Sequence, residues 1–138
     1  MANQRLLLLN ASNMEKFPIY PYAFIQVPAI ARQSGIEVIC KDMLGTPQEQ
    51  WKLTIETLIK QHEPVMILIT LRNTDSCDSP DYEKNNSKEN QSLYFPFERT
   101  RELIAAIREI SNLKIVMGGF GFSLLSDDLM RYLGFVNL

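Results

Sequence analysis

Cysteine is scarce in this chain of 138 residues: there are two, Cys40 and Cys77. Two thiols far apart in sequence make neither a disulfide framework nor a four-thiolate metal site. Histidine is scarcer still, with His62 alone. Long apolar runs are missing too. Leu6–Leu9 is the longest near the start, too short for a signal segment or a membrane span. Charge of one sign is not in excess. The formal net charge is -2, with acids and bases mixed along the chain. That leaves no basic stripe for nucleic acid and no polybasic cluster for a membrane surface. These absences point to a cytoplasmic protein with no nucleic-acid or membrane partner. What remains is globular: 46% hydrophobic and 22% charged residues, at a length suited to one domain spanning 1–138.

Short, nearly continuous apolar runs at Leu6–Leu9, Val65–Leu71 and Lys114–Met117 read as parallel strands buried on both faces. Ile36–Cys40 and Phe135–Leu138 read as a second and a fifth strand. Helical periodicity lies between them. In 48–61, Trp51, Ile55, Leu58 and Ile59 share one face. Thr46, Pro47 and Glu49 predict a capping box at its start. A helix over 97–110 turns Leu103, Ile104 and Ile107 inward, and a short one follows Ser126 as its cap. The first helix, 21–34, contains Pro28, which should kink or split it, and Gly35 should end it. Alternating βα order then predicts a doubly wound, flavodoxin-type α/β domain. Its sheet should hold five parallel strands in the order 2-1-3-4-5 between two helical layers, with Leu7, Ile67 and Val116 buried and Gly118 ending the fourth strand. Residues 72–95, dense in Asn, Ser, Asp and Lys, form a long connection at the carboxyl edge, where such folds bind ligands.

That edge lacks the usual nucleotide signatures. After the first strand comes Asn10-Ala11-Ser12-Asn13-Met14, with no G-x-G-x-x-G, and no G-x-x-x-x-G-K-[ST] occurs anywhere. The glycines follow the fourth strand instead, as Gly118-Gly119-Phe120-Gly121-Phe122-Ser123. Such a turn either lets backbone approach a flat or phosphorylated ligand or makes a tight strand-to-helix connection. Arg72 and Asn73 end the third strand, offering a fixed cation and an amide or a surface pair and a turn. Asp42-Met43-Leu44-Gly45 either borders a ligand or makes a plain strand-to-helix turn, the turn being the commoner case. Phe17, Tyr20 and Tyr22, flanked by Pro18 and Pro21, either wall a ligand or pack. Cys77 has no base assignable to it.

Together, the S-G-I-E-V that closes the first helix, Thr70-Leu71-Arg72-Asn73-Thr74-Asp75 and the Gly118–Ser123 turn resemble a known domain. It is the amino-terminal cobalamin-binding domain of radical S-adenosylmethionine enzymes. The second segment is similar to that family's S-x-R-N-x-D, and the third to its G-G-x-G-F-S. The L-G-x-D that follows there is matched only as Leu133-Gly134-Phe135-Val136. The family's C-x-x-x-C-x-x-C motif is absent, so the resemblance implies a module without radical chemistry of its own, joined in a parent polypeptide to a catalytic barrel. The iron-sulfur cluster and S-adenosylmethionine would belong to that barrel.

The resemblance implies base-off cobalamin, with its nucleotide tail between the first and third strands and Asn10, Ser12, Thr70, Arg72, Asn73 and Gly118 to Ser123 around it. The D-x-H-x-x-G of other cobalamin domains is missing. His62, between the second helix and third strand, falls at the opposite edge and is not a cobalt ligand. Two other readings stay open: a cofactor-free interaction module, and a Rossmann-like domain for a nucleotide or another small molecule.

Overall fold

A computed structural model describes residues 4–11, 20–71 and 97–135. Four parallel strands form one sheet among them: β1 (Arg5–Asn10), β2 (Glu37–Asp42), β3 (Met66–Thr70) and β4 (Lys114–Gly118), in the order β2-β1-β3-β4. The helices are α1 (Ala23–Gln33), α2 (Trp51–His62), α3 (Glu98–Ile110), α4 (Phe120–Leu124) and α5 (Ser126–Tyr132). The expected fifth strand is not found among the described residues. Phe135 lies in a bend after α5, and 136–138 fall outside the described residues.

Register explains how the layers are built. Leu7 is level with Ile39 and Ile67, and Ile67 with Ile115, so these four side chains share one face. Trp51 and Ile55 of α2, Leu103 and Ile107 of α3, and Leu129 and Leu133 at the end of the chain join them in one core. The alternate residues Leu8, Leu68 and Val116 point to the other face, beside Ala23 and Val27 of α1. Handedness dictates this split. The step from β1 to β2 runs one way across the sheet and the next two steps run the other way, so right-handed crossovers put α1 opposite α2 and α3.

Several local expectations need correction. Val116 is 38% exposed, because α1 packs chiefly against β2. β2 continues to Asp42, held by its pairing with Asn10. Pro28 does not split α1, which stays one helix and closes with Gly35 at φ 70°. The capping box before α2 does not form. A single 3-10 turn, Gln48–Gln50, comes first, no side chain caps either helix start, and the Thr46 carbonyl accepts a hydrogen bond from Trp51 Nε1 at 2.9 Å. Ser126 lies inside α5, not at its cap, because the glycine turn is already helical from Phe120.

Candidate functional site

The carboxyl ends of the four strands make a row on the α1 face: Asp42, Asn10, Thr70 and Gly118, neighbours in register. Below it lies an apolar row, Leu8, Leu68 and Val116. α1 stands over part of both, and the space left is a cavity of about 140 Å³. Leu8, Leu68 and Val116 form its floor, Ala23 and Val27 its wall, and Thr70, Gly118 and Gly119 its rim.

Each rim residue has a distinct job. Thr70 is only 7% exposed, and its hydroxyl makes no hydrogen bond among the described residues. At Gly118 a Cβ would meet nothing within 4 Å, so the missing side chain leaves open space. Gly119 differs. At φ 100°, its Cβ would fall 2.5 Å from the Leu71 carbonyl oxygen and 3.1 Å from Thr70 Oγ1. Its bareness lets the turn close onto β3, where Leu71 N–H donates to Gly118 O at 2.9 Å and Gly121 N–H to Leu71 O at 3.1 Å. This glycine serves strand-to-turn packing.

The other expected residues spread around this rim. Asn10 is 1% exposed and does not line the cavity; its Nδ2 donates to Asp42 Oδ1 at 3.0 Å. Gly121 is buried and Phe122 packs on the core, while Phe120 is exposed. Ser123 turns its hydroxyl back to Gly119 O at 3.1 Å. Tyr20 and Tyr22 are exposed at the entry to α1, Tyr20 edge-on to Phe24 with ring centroids 5.9 Å apart. Ser12, Phe17, Arg72, Asn73 and Cys77 lie outside the described residues. His62 ends α2 at the amino edge, where its carbonyl accepts from Arg5 Nη1 at 3.3 Å.

Sequence reasoning placed Asp42 in a turn that could border a ligand, without its partners, and missed the apolar floor. Asp42 Oδ1 accepts both from Asn10 and from Leu44 N–H at 2.9 Å, tying the turn after β2 to the end of β1. The floor was signalled by the alternate residues of β1, β3 and β4. Titration is perturbed elsewhere. Burial pushes the Cys40 thiol up, and a hydrogen bond from Tyr132 pulls the Glu98 carboxyl down. Neither group lines the cavity. Among the described residues no cluster of three or more His, Cys, Asp or Glu is placed to hold a metal, and no helix is long and apolar enough to cross a membrane.

This chain is similar to a segment of solved and curated methyltransferases, in agreement with the resemblance carried by the motifs. In a solved radical S-adenosylmethionine methyltransferase, TsrM from Kitasatospora setae, with tryptophan substrate and a SAM analog bound, the likeness covers 96% of this chain at a TM-score of 0.74 and 28% identity. Tryptophan 2-C-methyltransferase of Streptomyces laurentii is 26% identical over 118 residues, 85% of this chain. The chain spans about a fifth of these relatives, 22% of the first and 18% of the second. No family model matches it.

Proposed function

We propose that this domain is a cobalamin-binding module serving a radical S-adenosylmethionine catalytic domain in a longer, cytoplasmic polypeptide. The observation that carries the reading is the apolar cavity under the carboxyl edge, with Thr70, Gly118 and Gly119 at its rim. An apolar cavity of about 150 Å³ accepts one aromatic ring, so this one, at about 140 Å³ and open on one flank, would admit the leading part of the tail's two-ring base and is far too small for the corrin. The corrin would lie outside, over the edge, among the exposed rings of Tyr20, Tyr22 and Phe120. A base held in the cavity is withdrawn from cobalt, and His62 at the far edge cannot replace it.

The residues of this chain bind and orient. Leu8, Leu68 and Val116 exclude water from the base, Thr70 offers it a hydrogen bond, and Gly118 leaves room for it. Ser12, Arg72 and Asn73 are proposed beside them, with Arg72 a fixed charge near the corrin. When bound, the cofactor supplies the methyl- or radical-transfer chemistry. The iron-sulfur cluster and S-adenosylmethionine belong to the catalytic domain, and this chain alone catalyses nothing.

Reconstitution with hydroxocobalamin followed by gel filtration tests the reading. The protein peak should keep the visible spectrum, and cobinamide, which lacks the tail, should bind at least tenfold more weakly. Gly118→Leu should abolish that preference while leaving cobinamide binding alone. Paramagnetic resonance of the cob(II)alamin complex should show no nitrogen superhyperfine splitting. A colourless protein peak would sink the proposal.

A further inference from the structure

Thr70 and the apolar floor meet different parts of whatever enters the cavity, because they stand at different heights along the strands. Given the proposed seat of the nucleotide base, on which this rests, we infer that the cavity selects among cobamides by the base they carry. It takes a benzimidazole and turns away a purine.

Leu8, Leu68 and Val116 are level across β1, β3 and β4, and Thr70 and Gly118 lie two residues nearer the carboxyl edge. Strands rise about 3.3 Å per residue, so the rim stands about 6.6 Å above the floor. Thr70 supplies the one polar side chain among the described residues that line the cavity. At that height its hydroxyl is beyond the roughly 3 Å reach of a hydrogen bond to a group on the floor. The side chains of the floor offer only hydrocarbon, and so does the wall of Ala23 and Val27. Backbone gives no substitute there. β1 and β3 are paired along both edges, and their N–H and C=O groups lie in the plane of the sheet.

Connectivity of the cofactor fixes which end of the base leads. Its ribose is carried on the five-membered ring, and the phosphate runs from there out to the corrin. That ring therefore stays at the rim, and the six-membered ring goes in first. In a benzimidazole the six-membered ring is all carbon, bearing two methyl groups in cobalamin. In adenine it holds two nitrogens and bears the amino group. Each polar group taken from water without a partner costs binding, whereas each methyl gains by burial. The floor thus matches one class of base and opposes the other.

Equilibrium titration of the 138-residue chain with cobalamin, its adenine counterpart and cobinamide reads the selection directly. Cobalamin should bind about tenfold or more tightly than the adenine cobamide. Benzimidazole holds cobalt more firmly than adenine does, so the cofactor's own coordination works against this order and cannot produce it. Val116→Thr keeps the β-branched shape and puts a hydroxyl on the floor. It should tighten the adenine cobamide, weaken cobalamin and narrow the gap by about threefold or more. A general disturbance of the fold would weaken both and leave their ratio alone. Equal affinity for the two cobamides, both above cobinamide, would overturn the inference and leave the proposed function standing. A Val116→Thr ratio equal to that of the parent would do the same. Binding of none of the three would sink the proposed function and the selectivity with it.

Discussion

Gly119 and Glu63 are opposite answers to the same backbone demand. Gly119 holds φ 100° and ψ 164°, a region open in practice only to glycine, with β3 pressed against its Cα. Gly119→Ala should lower stability by about 1–3 kcal/mol from the dihedral alone, and the clash with Leu71 should add to it. Chemical denaturation checks this; a loss within error of zero would mean that the turn is not seated on β3. Glu63 closes α2 in the left-handed region at φ 45°, ψ 54°, without glycine's freedom. An L-residue there costs about 1–2 kcal/mol, part of which glycine returns through its more flexible unfolded chain. Glu63→Gly should therefore stabilise the domain by up to about 1 kcal/mol, read as a higher denaturation midpoint at constant slope.

At the scale of elements, α3 and α5 are clamped by a small polar cluster. Tyr132 donates to the Glu98 carboxylate, and Arg101 pairs with Glu98 and stacks on the Tyr132 ring at 5.0 Å. The tyrosine's hydrogen bond, helped by Arg101, holds the Glu98 carboxyl below its ordinary value, whereas burial and that same bond hold the Tyr132 phenol above its own. A lowered carboxyl stabilises above its unfolded value and loses that contribution as pH falls through the folded one. A raised phenol stabilises below its unfolded value and loses it as pH rises through the folded one. The clamp is thus intact at neutral pH and lost at both extremes. Tyr132→Phe should lower Tm at pH 7, and the difference from the parent should shrink below the carboxylate range. A difference that stays constant down to pH 3 would mean the clamp is packing alone. Elements of this kind were legible where periodicity was strong: the inward faces of α2 and α3 stand as read. Their starts were not, because a T-x-x-E spacing cannot show that the Thr46 N–H, which Glu49 would have to reach, will donate to Met43 O at 3.1 Å.

For the whole molecule, alternating βα order carried the parallel sheet and its order as far as β4, and the carboxyl edge followed from it. The cavity did not. It depends on which half of a face α1 covers, and short apolar runs read as buried on both sides regardless. Val116 shows the cost of that assumption. Its run matches that of β3, yet only neighbours beyond the strand decide its burial. The same asymmetry sets how core substitutions should behave. Ile67 is fully buried beneath α2 and α3, so Ile67→Ala should lose about 2–5 kcal/mol through lost burial and an unfilled cavity. Val116, one strand away on the other face, has little packed above it to lose. Val116→Ala should cost less than about 1 kcal/mol, close to a surface substitution. Urea denaturation of both variants of the 138-residue chain measures the contrast. Equal losses would mean that the second face is covered as fully as the first, and the open cavity would then not exist.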